Sequence, residues 1–197
     1  MHNSLESLEG RRLLSGNVTA VYDTSAGALV VHGDNKSNDI QIVQSAFGFV
    51  VTGVNGTKVN GSAAPQDVGA PTGNLICQMG NGDDSVEFAD SIANNVSFGM
   101  DNGKDSLIVR NVLLNDLDID TGNGDDTVTM DLGLILGNLN VQTGNSPDSI
   151  VIGSSGFGVV VLGNATIDGG AGPDKLVGDS LLAVTGTRSI VGVESVS

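Results

Sequence analysis

A five-residue phrase returns five times along the chain, and its spacing constrains the fold more than any other feature. It reads Gly80-Asn81-Gly82-Asp83-Asp84, Asp101-Asn102-Gly103-Lys104-Asp105, Gly122-Asn123-Gly124-Asp125-Asp126, Gly144-Asn145-Ser146-Pro147-Asp148 and Gly170-Ala171-Gly172-Pro173-Asp174. The closing aspartates are separated by steps of 21, 21, 22 and 26 residues. A near-constant period of this length marks a stacked architecture, in which each repeat buries the face of its neighbour.

The flanks keep the same register. Two residues after each aspartate stand Val86, Leu107, Val128, Ile150 and Leu176, and four after it Phe88, Val109, Met130, Ile152 and Gly178. Seven before it stand Cys77, Phe98, Ile119, Val141 and Ile167, and nine before it Leu75, Val96, Leu117, Leu139 and Ala165. Intervening positions such as Gln78, Glu87, Asp118, Thr129 and Gln142 are polar. This is the period-2 alternation of strands with one inward face, so each phrase joins two strands. A third inward row is expected at Ile92, Leu113 and Leu134, continued by Val159 after an insertion around 153–156 that also explains the 22- and 26-residue steps. A β-sandwich can alternate too, but it has no reason to repeat one residue type at one offset five times. Stacked coils do, because row neighbours lie about 4.8 Å apart and must be compatible. The predicted fold is all-β, a parallel β-solenoid of about five 21-residue coils behind an N-terminal β cap. Asn81, Asn102, Asn123 and Asn145 then form an asparagine ladder.

The organisation follows. Residues 74–180 are the repeats, and 16–73 are a cap or degenerate coils with strand-like runs at Val18–Tyr22, Ala28–His32, Ile40–Val43 and Phe49–Val54. Asn38, Ile40 and Ile42 repeat the pattern of Asp84, Val86 and Phe88. Ala63–Thr72, with two prolines, reads as a loop, and 181–197 as a C-terminal cap. Residues 1–15 form a separate segment.

Charge narrows the partners. The 197 residues carry 8 basic and 23 acidic side chains, a net of −15, and residues 74–179 alone hold 16 acidic against three basic. Such a surface repels nucleic acid and anionic lipid and attracts cations. No run approaches the roughly 20 apolar residues of a membrane span, and the N-terminus lacks the apolar core of roughly 7–15 residues that a cleavable signal carries. With Cys77 the only cysteine, an internal disulfide is excluded. Tryptophan is missing and tyrosine occurs once, so the aromatic platforms usual at sugar-binding sites are lacking.

Two resemblances add to this reading. Leu5-Glu6-Ser7-Leu8-Glu9-Gly10-Arg11-Arg12-Leu13-Leu14-Ser15 is similar to the LEPR-x-LL motif near the start of many large bacterial surface proteins, with Gly10 where the motif often has Pro, and implies an exported or cell-surface protein. The phrase itself resembles the repeats-in-toxin nonapeptide Gly-Gly-x-Gly-x-Asp-x-apolar-x. Gly169–Leu176 matches it completely, and Gly80–Val86 and Gly122–Val128 match it but for the first glycine. That resemblance implies Ca²⁺ held between coils by Asp84, Asp105, Asp126, Asp148 and Asp174. Asp83 and Asp125 are further candidate ligands, with backbone carbonyls near Gly80, Asp101 and Gly122. The chain departs from the family in having one phrase per coil where the family has tandem phrases. Carboxylates stacked about 5 Å apart repel by about 3 kcal/mol per pair at an effective dielectric near 20, so something must relieve them. A hard cation, turn amides or solvation can do so, and simple turn capping by each aspartate is the alternative.

The expected function is a non-enzymatic structural or adhesive, calcium-binding module of an exported bacterial surface protein. Its partners beyond calcium are expected to be an extracellular polysaccharide or another surface protein. The alternative is a polysaccharide-active, lyase-like β-helix enzyme. Arg110 near Asp116 and Asp118 resembles the arginine and Ca²⁺ of pectate-lyase-type solenoids. His2 and His32 have no nucleophile or metal partner in sequence reach.

Overall fold

The computed structural model describes residues 16–70 and 73–196; the segment 1–15, which carries the LEPR-x-LL-like motif and His2, lies outside the described residues. It is an all-β solenoid. The chain first forms β1 (Asn17–Asp23), β2 (Ala28–His32), β3 (Asp39–Gln44), β4 (Gly48–Gly53), β5 (Lys58–Val59) and β6 (Gln66–Gly69). The repeats follow as β7 (Leu75–Gln78), β8 (Ser85–Ile92), β9 (Asn95–Gly99), β10 (Ser106–Leu114), β11 (Asp116–Asp120), β12 (Thr127–Ile135), β13 (Leu139–Gln142), β14 (Ser149–Ile152), β15 (Val159–Val161), β16 (Ala165–Asp168) and β17 (Lys175–Val177). The last strands are β18 (Leu182–Val184), β19 (Arg188–Val191) and β20 (Ser195–Val196).

Every pairing from β7 onward is parallel. One sheet stacks β2, β7, β9, β11, β13, β16 and β19; the other stacks β3, β8, β10, β12, β14, β17 and β20, with β15 and β18 continuing its far side. Register follows the repeat: Val86, Leu107, Val128, Ile150 and Leu176 are direct neighbours, as are Cys77, Phe98, Ile119, Val141 and Ile167. Both rows are buried. Phe88 packs against Phe49 and Phe98 with ring centroids 6.1 and 5.8 Å apart, which closes the N-terminal end of the core with aromatic area.

The cap is partly a coil in its own right. β2 and β3 pair in parallel with β7 and β8, and Ile40 and Ile42 sit opposite Val86 and Phe88. β1 and β4 fold back on them antiparallel. The stretch read as a loop, Ala63–Thr72, contains β6, which pairs with β4. At the other end β18, β19 and β20 extend the stack in parallel.

The third row differs from the sequence expectation. Ile92, Leu113 and Leu134 point outward, and Ile92 is 60% exposed. Inward positions are Val112 and Leu114 in one coil, Gly133 and Ile135 in the next. The cause lies at Asp90, Asn111 and Leu132, whose φ values of 51°, 52° and 47° are left-handed. Such a residue turns the long strand around the coil corner and shifts the alternation by one, as a bulge does. Val159 is buried because it pairs with Gly133, not Leu134. The insertion at 153–158 explains only the 26-residue step. The 22-residue step comes from one extra residue at the corner Leu136-Gly137-Asn138, where the earlier coil has only Asn115-Asp116.

Candidate functional site

The five aspartates of the phrase meet along one edge of the stack, and each is only 1–4% exposed. Four of the five turns carry glycine where the coils touch, and Ser146 takes that place in the other at φ 87°. Gly124 has φ 142°, and a Cβ there would stand 1.5 Å from the carbonyl oxygen of Gly103. Coils built this way approach closely enough for each aspartate to reach the next turn.

It reaches the backbone. The Asp84 N–H donates to Asp105 Oδ1 at 2.7 Å, and the N–H groups of Asp105, Asp126 and Asp148 donate to Oδ1 of Asp126, Asp148 and Asp174 at 2.8 Å. Asn38 opens the series by donating its N–H to Asp84 Oδ1 at 2.7 Å, and Asp174 ends it by donating to Glu194 Oε2. Asn38 and Glu194 therefore take the place of aspartate at the two ends. The Oδ2 atoms of all five aspartates are buried with no hydrogen-bond partner among the described residues. Thr121 and Thr143 flank Asp126 and Asp148, and Gly169 lies beside Asp174 Oδ2. In the same row the first two coils carry buried Met79 and Met100.

This environment penalises charge. Burial pushes the carboxyls of Asp84 and Asp148 up to about 6 and that of Asp105 up to about 7. Asp126 and Asp174 are raised by the same cause. The amide bonds oppose the shift, and neighbouring carboxylates in the ladder add to it. Burial also raises the Cys77 thiol well above its usual range.

A second ladder runs along the outside of the same turns. Nδ2 of Asn102, Asn123 and Asn145 donates to Oδ1 of the preceding asparagine at 2.9, 3.0 and 2.7 Å, and Asn81 donates to Asn35 at 3.0 Å. Backbone bonds accompany it. The carbonyls of Gly80, Asp101 and Gly122 accept the N–H groups of Asn102, Asn123 and Asn145. Asp83 and Asp125 are exposed, and Asp83 Oδ1 accepts the Lys104 N–H at 2.9 Å.

Of the oxygens a calcium shell would draw on here, the five buried Oδ2 atoms are the ones without a hydrogen-bond partner among the described residues. Calcium takes six to eight oxygens. Here the Oδ1 atoms and the turn carbonyls already accept N–H bonds, and Asp83 and Asp125 stand apart from the buried row. Among the described residues no three His, Cys, Asp or Glu side chains gather as a metal-holding group. The turn amides that bond Oδ1 offset part of the carboxylate repulsion, whereas burial strengthens it and favours the protonated form. Sequence reasoning located the aspartates and left turn amides as one of three means of relief; it did not show that the amide comes from the preceding coil's aspartate, because a backbone N–H leaves no trace in residue identity.

The lyase-like elements are also apart. Arg110 on β10 pairs with Glu87 at 2.5 Å, whereas Asp116 and Asp118 belong to β11 in the other sheet, where they bond Asn138 and Asn140. His32 is exposed on β2. No helix among the described residues is long and apolar enough to cross a membrane. Comparison with known proteins matched no family model, no curated protein and no solved structure.

Proposed function

We propose that this chain is a non-enzymatic structural or adhesive module of an exported bacterial surface protein, a rod whose cohesion resides in its turn ladders. The observation that supports this best is the mutual use of the repeated residues. Asp84 through Asp174 bond one another's turns and are turned away from solvent, so the most repeated chemistry in the chain serves coil-to-coil contact. A catalytic group must instead reach a substrate atom. The LEPR-x-LL-like residues Leu8–Ser15 support export to the cell surface. An extracellular polysaccharide or another surface protein is the partner class such a rod would present itself to.

The test is an assay of the purified chain on acidic polysaccharides together with surface labelling of the producing cells. Labelling of intact cells without turnover is expected. Depolymerisation that disappears in Arg110→Ala would replace this reading with the lyase-like one.

A further inference from the structure

The outward row that the corner residues create on the third face is apolar and has no partner among the described residues. It runs Ile92, Leu113, Leu134, Val160 and Ala183 through consecutive parallel pairings. Ile92, Leu134 and Val160 are 60%, 37% and 40% exposed. Leu132 lies on one side of it and Leu136 and Leu162 on the other, each about half exposed. The insertion at 153–158 adds an exposed Phe157, whose carbonyl accepts the Leu132 N–H. Taking about 200 Å² for a large apolar residue fully exposed, these seven large side chains offer roughly 700 Å². That approaches the roughly 800 Å² per partner of a stable protein–protein interface, and exceeds the few hundred Å² usual for an apolar patch on a monomer.

We propose that this face joins two copies of the chain in a closed, two-fold dimer. Two observations favour a second copy as the occupant. The rows repeat at the strand spacing of about 4.8 Å, and only a surface with apolar rows at that spacing can interdigitate along their whole length. A second copy carries such rows. Charge makes the same selection: at −15 two copies repel over most of their surfaces, and this face carries only Asp90 at its margin among the outward positions of its rows. An isologous contact uses the same patch on both partners and closes on itself.

Sedimentation equilibrium of the full chain, from about 1 to about 100 μM, tests this. Twice the monomer mass of 19.9 kDa is expected, with association strengthened by salt as repulsion is screened. The double variant Leu134→Lys with Leu162→Lys, both outward, should weaken association at least about 30-fold and leave the β-type circular dichroism unchanged. Should that variant not fold, Leu134→Cys replaces it. Its thiol lies at the middle of the row, Cys77 is buried and does not compete, and oxidation should link two copies. A monomer throughout the concentration range overturns the proposal, including one that adsorbs to phosphatidylcholine vesicles by this face. So do open-ended polymers, a dimer that survives the double lysine variant, or a Leu134→Cys protein that does not cross-link.

Discussion

Asp105 shows what one rung does. Its Oδ1 accepts the Asp84 amide, its own amide donates to Asp126, and its Oδ2 is buried without a partner. Asn38 opens the ladder differently: it donates its backbone N–H to Asp84 as the aspartates do to one another, but its own Oδ1 accepts no bond among the described residues. The folded carboxyl of Asp105 is raised to about 7, so the folded chain holds its proton more tightly than the unfolded one. The sign follows by linkage. This contribution to stability is full below the ordinary carboxyl value near 3.8 and declines as pH rises toward about 7. Melting at pH 5 is therefore expected above melting at pH 8, by on the order of 5 °C. Asp105→Asn keeps the acceptor and removes the proton, so it should flatten that slope. Differential scanning calorimetry at the two pH values checks this, and equal slopes for both proteins would contradict it.

Coil geometry shows which parts of the fold could be read before the structure was known. Inward rows beside the phrase were legible because the glycines and aspartate fix the offset from the turn, and alternation does the rest. Phe98 follows directly: it is buried between the Cys77 and Ile119 positions of its row and packs on Phe88. Phe98→Ala should cost about 3–5 kcal/mol, since stacked coils held by backbone bonds cannot collapse into the cavity. Chemical denaturation with an unchanged slope measures it. The third face was not legible. Ile92 and Leu134 are apolar at an even offset, and only the left-handed backbone at Asp90 and Leu132 sends them outward. Asn and Asp tolerate that conformation, but Leu132 gives no such cue. The candidate site was legible in half: the aspartates repeat visibly and turn amides stood among the groups that could relieve them, but amides belong to every residue, so nothing in residue identity singled out those of the preceding coil.

At the scale of the whole molecule, cohesion is carried by repeated local bonds, and two expectations follow. Thermal melting in millimolar Ca²⁺ and in excess chelator should coincide, because the Oδ1 row and the carbonyls of Gly80, Asp101 and Gly122 already accept amide N–H groups and the remaining Oδ2 row is buried where charge is penalised. A cation binding only the folded chain would raise stability by about 2.7 kcal/mol at a hundredfold excess over its Kd, so such a rise would return the calcium reading to the ladder. The second expectation comes from the sameness of the rungs. Deleting residues 106–126 joins Asp105 to Thr127, which follows Asp126 in the intact chain as Ser106 follows Asp105. The shortened chain should melt cooperatively and lose about 4.8 Å of length by small-angle scattering. An unfolded or unshortened product would show that the coils are not equivalent. If they are, the 21-residue unit is a graduation on a ruler: reach is set by counting coils, and duplication or loss of one unit in the coding sequence changes how far the module projects without altering any junction along it.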